Sequence, residues 1–187
     1  MRTLFFFLVL VTSLTLNAQI TKGNWLVGGN GSFYSTTVIS EDSFGNEIRS
    51  EGTSLRLNPN IGYFFYDKFA IGLDVSLSFA NSEGANNSNW ALGVGPFARY
   101  YFLEQEKRIN IFGAVNLSYS MGLSEINNGN NSTLYGLSTG AVLFFNSSVG
   151  LELSLNYSDT TSRRDGSADS NFRNLFVTIG FQIHLEK

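Results

Sequence analysis

The stretch "FAIGLDVSLSFA", residues 69–80, alternates along its whole length. Phe69, Ile71, Leu73, Val75, Leu77 and Phe79 form one row, and Ala70, Gly72, Asp74, Ser76, Ser78 and Ala80 form the other. Successive side chains of a β-strand point to opposite faces. One face of this strand is therefore wholly apolar, and the other is small and polar with a single carboxylate. The same period of two recurs in "TSLRLNPNIGYFF" (53–65), "WALGVGPFARYYF" (90–102), "INIFGAVNLSYSM" (109–121), "VGLELSLNY" (149–157) and "LFVTIGFQIHL" (175–185). Residues 24–37 and 133–145 are richer in glycine and ambiguous in phase, and they read as two further strands. The total is eight, each long enough for the roughly 9–11 residues that cross a bilayer at a tilt.

The connections alternate in length. Residues 39–52, 81–89, 122–132 and 159–172 are long and rich in Asn, Ser and Gly, whereas 66–68, 103–108 and 146–148 are short. This rhythm is that of an up-and-down meander. It places four long loops on one rim and three short turns with both termini on the other, the asymmetry of outer-membrane barrels.

The polar row holds Arg56, Asn58, Asn60, Asp74, Ser76, Ser78, Arg99, Asn110, Asn116, Ser118, Glu152, Ser154, Asn156, Asn174, Thr178 and Gln182. Every charge inside a clear strand lies on it. Such a division suits two architectures: a soluble calyx with an apolar lumen, or a membrane barrel with an apolar outer wall. Three features favour the membrane. The polar row is small and mostly neutral, not studded with Lys and Glu as a solvated surface is. Aromatics on the apolar rows gather toward strand ends, at Trp25, Phe69, Phe79, Trp90, Tyr100, Phe102, Tyr119, Tyr135, Phe145 and Tyr157, where interfacial girdles form. Finally, six strong apolar rows do not fit into one small calyx. The expected fold is all-β: an eight-stranded antiparallel up-and-down transmembrane β-barrel. Closure is required, because an open edge in lipid leaves backbone groups unpaired at several kcal/mol each. Pro59 and Pro96 lie mid-strand and cannot donate to the ladder, so local bulges are expected there.

Composition narrows the function. Charged residues make up 14% of the 187, below the roughly 25% of soluble domains. A net charge of −3 argues against a nucleic-acid partner, and the absence of cysteine removes disulfides and thiolate metal sites. The N-terminus, "MRTLFFFLVLVTSLTLNAQI", has Arg2, an apolar run over 4–11 and a small-residue site at Asn17-Ala18-Gln19. It reads as a secretory signal peptide over 1–18, followed by a barrel domain over 19–187.

The segments "LNPNIGYFFYDKFAIGLDVSLSF" (57–79) and "VGPFARYYF" (94–102) carry a resemblance. Pro59, Ile61, Gly62, Tyr63 and Phe64 lead into Ala70–Leu73, and Gly95, Pro96 and Arg99–Phe102 follow. The chain here resembles the small porin-like outer-membrane β-barrel domain family of Gram-negative bacteria. The resemblance implies an outer-membrane location and passage through the outer-membrane insertion machinery. For most members it implies no defined activity.

Arg56, Asp74, Arg99 and Glu152 all point inward in this register. A confined charge is costly unless paired, so the four are expected to form a salt-bridged plug, with Phe64, Phe97, Tyr101 and Phe112 filling the interior further. The alternative role for these charges is a gate across a small pore. His184 is the only histidine, and no Ser with an acidic partner converges on it by spacing, so it reads as an ordinary rim residue and not a catalytic base. No cofactor or metal is expected. The expected function is structural, adhesive or interactive: membrane lipid around the wall and a surface partner at loops 39–52 and 159–172, with no enzymatic activity. A narrow low-conductance pore and a secreted calyx for a lipophile are the alternatives.

Overall fold

A computed structural model describes residues 20–41, 47–82, 89–123, 130–164 and 168–186. Its strands are β1 (Trp25–Glu41), β2 (Glu47–Tyr66), β3 (Phe69–Ser82), β4 (Asn89–Tyr101), β5 (Ile109–Gly122), β6 (Asn130–Phe144), β7 (Val149–Arg164) and β8 (Ser170–Leu185). Each pairs antiparallel with the next, and β8 returns to β1, closing a barrel in sequence order. Residues 1–18, expected to be a signal peptide, lie outside the described residues.

The alternation sorts the two solvents. Leu73, Val94, Val115, Leu137, Leu153 and Ile179, one from each of β3 to β8, are all at least 50% exposed on the outer wall. A contiguous apolar band of this kind far exceeds the patches that water-soluble monomers tolerate. On the inner wall Ser154, Thr178 and Gln182 are buried. The apolar rows thus form the outside and the polar rows the lumen, which is the membrane arrangement and not the calyx.

Three expectations need correction. First, residues 39–52 and 159–172 are not long loops. The β1–β2 ladder climbs to Glu41↔Glu47 and the β7–β8 ladder to Ser162↔Ser170, so both are tall hairpins. Second, neither proline makes a bulge. Leu57↔Leu77 and Asn60↔Asp74 keep one register across Pro59, as Val94↔Tyr119 and Phe97↔Asn116 do across Pro96. Each proline loses its ladder contact on one side only and stays paired on the other, with Gly29 and Leu73 respectively. A missing N–H removes one bond without adding a residue, so the register has no reason to shift. The register shift recorded among the described strands lies between Phe64 and Tyr66, beside a short turn. Gly29, with φ of +154°, faces Pro59 so closely that a Cβ there would lie 2.9 Å from Pro59 Cα. Third, His184 lies at the short-turn end as expected, but it is fully buried there and not exposed as an ordinary rim residue.

The core sits at the short-turn end. Phe64, Tyr101, Phe112, Phe144, Leu26, Val142 and Ile20 are all but inaccessible there. The segment preceding β1 caps this end, with Lys68 N–H donating to Ile20 O (2.8 Å) and Gly23 N–H to Phe64 O (2.9 Å).

Candidate functional site

The lumen is divided into a sealed floor and an open cup. The floor begins with an aromatic layer in which Phe64, Tyr101 and Phe144 pack around His184, with ring centroids 5.3–6.1 Å from its imidazole. Above it lies a polar layer. Arg99 on β4 donates through Nη1 to Glu152 Oε2 on β7 at 2.8 Å, across the barrel, with about a tenth or less of either side chain exposed. Gln182 on β8 also donates to that Glu152 oxygen and accepts from the Tyr101 hydroxyl at 2.6 Å. The Arg99 guanidinium lies 4.3 Å from the Phe112 ring centroid and 5.9 Å from that of Phe97. The carboxylate and the ring faces together answer the charge of this desolvated cation, while its buried Nε–H meets no acceptor among the described residues.

Of the four inward charges read from the sequence, Arg99 and Glu152 meet and the other two do not. Arg56 donates to Ser78 Oγ at 3.3 Å. Asp74 faces the cup, and no ion pair joins it to another described residue. Among the four, Arg99 and Glu152 form one buried ion pair, with Asp74 close enough to feel both charges without bonding to either. Gln182 and Tyr101 complete the floor. Both lie on the inward rows, but only barrel closure shows that they reach Glu152.

The cup above has a volume of about 780 Å³ and opens toward the tall-hairpin rim. Asn30, Asn58, Asn60, Ser76 and Ser118 line it, with Arg99 and Glu152 as its base. Among the described residues no group of His, Asp or Glu side chains could hold a metal ion.

The aromatics named from the sequence lie on the outer wall, most of them near strand ends, but Tyr157 falls mid-strand because β7 runs on to Arg164. Phe79 and Trp90 meet edge to face at 4.5 Å near the hairpin rim. At the other rim Trp25 packs on Tyr63 at 5.2 Å and Tyr100 on Phe102 at 5.3 Å. Tyr119 is exposed near the hairpin end of β5, Tyr157 is exposed opposite Leu137, and Phe69 opens β3 at the short-turn end.

No protein-family model matches the sequence, and no curated protein does. Solved structures do match. The outer membrane protein OprG from Pseudomonas aeruginosa superposes with a TM-score of 0.56 at 14% identity, covering 92% of this chain and 100% of that one. Neisserial surface protein A superposes with a TM-score of 0.56 at 16% identity, covering 87% and 97%. At these identities the likeness is one of fold, and it agrees with the strand count, the closure and the exposed apolar wall. The chain folds as a closed eight-stranded antiparallel β-barrel of the kind found in those outer-membrane proteins, with its apolar rows on the outer wall.

Proposed function

We propose that this protein resides in the outer membrane of a Gram-negative bacterium and acts at the surface through its tall hairpins, as a structural or adhesive element. In this reading it is neither an enzyme nor a pore. Residues 1–18 direct export and are removed, and the insertion machinery assembles the barrel in the membrane. The observation that carries the reading is the floor. Arg99, Glu152, Gln182 and Tyr101, with the ring layer beneath, leave the cup a dead end. Residues 39–52 and 159–172 then present an interaction surface. Both carry charge beyond the apolar band, including the exposed pairs Arg49–Glu51 at 3.0 Å and Arg163–Asp169 at 3.3 Å.

Planar-bilayer recording tests the sealed floor. The purified barrel is expected to give no discrete conductance steps. Stable small steps in the wild type would favour the second reading, a narrow pore, for which the open cup already provides half of a path.

A further inference from the structure

The seam between β1 and β8 stops short. β1 pairs with β2 along its full length, from Trp25↔Tyr63 to Glu41↔Glu47. It pairs with β8 only from Trp25↔Leu185 to Asn30↔Gly180. The same register continued would set Ser32 opposite Thr178 and Tyr34 opposite Phe176, and neither pair forms. Phe33 and Leu175, both about 70% exposed, show that the apolar band reaches past the point of parting. Backbone left unpaired inside lipid is costly, so this slot calls for water from the lumen or for an occupant.

The chemistry around the slot says which occupant. The cup extends to it, since Tyr34, Phe172 and Phe176 belong to the cup lining. At this level aromatic side chains join the inward row, beside Ser32 on β1 and on either side of Asn174 on β8. Tyr34, Phe172 and Phe176 are each at least 40% exposed, and Leu134 adjoins Phe172 through Thr160. Arg56 lies beside Ser32 on the inner wall. Among the described residues its side chain donates to the Ser78 hydroxyl, and no acidic side chain lies within ion-pair distance of it. An apolar strip, a cation without a counter-charge and an opening to lipid occur together in one cavity.

We propose that the upper cup is a binding site for a single-chain anionic amphiphile, a long-chain carboxylate, which enters sideways from the outer leaflet through the β1–β8 slot. The carboxylate pairs with Arg56, and the chain lies along Tyr34, Phe176, Phe172 and Leu134. The sealed floor makes this a site of retention and not of passage. The site stands beside the surface role and does not depend on it.

The test uses the full barrel in zwitterionic vesicles with spin-labelled stearate, at an alkaline pH that keeps the probe ionised. Binding appears as a motionally restricted component that unlabelled palmitate displaces. A quaternary ammonium amphiphile of the same chain length should not displace it. Arg56→Gln should weaken palmitate binding about tenfold, the value of one charge-assisted hydrogen bond to a carboxylate. Phe176→Asn should weaken palmitate and the neutral long-chain alcohol alike. Equal displacement by the cationic amphiphile would overturn the proposal, as would unchanged affinity in folded Arg56→Gln. Displacement in the wild type needs no variant, so a folding defect in either substitution leaves the proposal exposed to failure.

Discussion

Leu73 and Ser76 stand three residues apart on β3 and face different media. Leu73 is half exposed on the lipid side, whereas Ser76 lines the cup. Leu73→Arg is expected to cost about 2–4 kcal/mol near the bilayer midplane, and Ser76→Ala to cost little. Urea unfolding in lipid vesicles measures both, and tolerance of the arginine would contradict a lipid-facing wall. Arg99 calls for a cycle. Removing one member of a buried ion pair strands the other, at about 3–5 kcal/mol, so Arg99→Met alone should be severe. Arg99→Met with Glu152→Leu should recover much of that loss, and simple additivity of the two singles would mean that the pair is not coupled. Gly72 is constrained by Phe97, whose Cε1 would lie 2.6 Å from a Cβ there, with backbone closer still. Gly72→Val should therefore lower the yield of folded barrel more than Ser76→Val. Alternation alone turns Arg99 and Glu152 inward. Their meeting across 53 residues of chain is invisible until the sheet curls and brings β4 opposite β7. His184 shows the opposite failure: its place near the C-terminus suggests a rim, yet even parity puts it on the inner wall among rings.

At the scale of elements, the strands were legible wherever their two faces met different solvents. Phe69 to Phe79 alternates because lipid and lumen demand opposite side chains. Above the apolar band both faces of β1, β2, β7 and β8 meet water, so the contrast disappears while the ladder continues. That is why residues 39–52 and 159–172 read as loops and proved to be hairpin. The hydrogen bonds of a ladder run through the backbone and leave no mark on composition. Pro59 and Pro96 misled for a related reason: a missing donor was taken to require an extra residue, whereas the barrel drops one bond and keeps its register. If the hairpin tops lie outside the membrane, replacing residues 38–50 with a two-residue turn should leave insertion and the unfolding midpoint nearly unchanged. The same cut should abolish any binding to a surface partner. A loss of folded barrel on trimming would place that hairpin in the folding unit instead.

For the whole molecule, the governing quantity is closure. The folded barrel should migrate faster than its heated form on a gel and resist protease in vesicles, since closure leaves few backbone bonds free to open. If unheated and heated samples ran together, a closed barrel would be untenable. The seam is the weakest join, with six paired rows against seventeen between β1 and β2. Hydrogen exchange should therefore be fastest, among the membrane-embedded strands, at residues 31–33 and 175–179. By itself the sequence determined the class, the strand number, the meander order and the division of solvents, because each is written in a period of two and in the spacing of turns. Tertiary structure alone decided that Arg99 finds Glu152 and Gln182, that the floor is sealed while the cup stays open, and that β1 and β8 part above Asn30. Those outcomes depend on how strands far apart in the chain curl around a shared axis, and no local pattern of side chains encodes that distance.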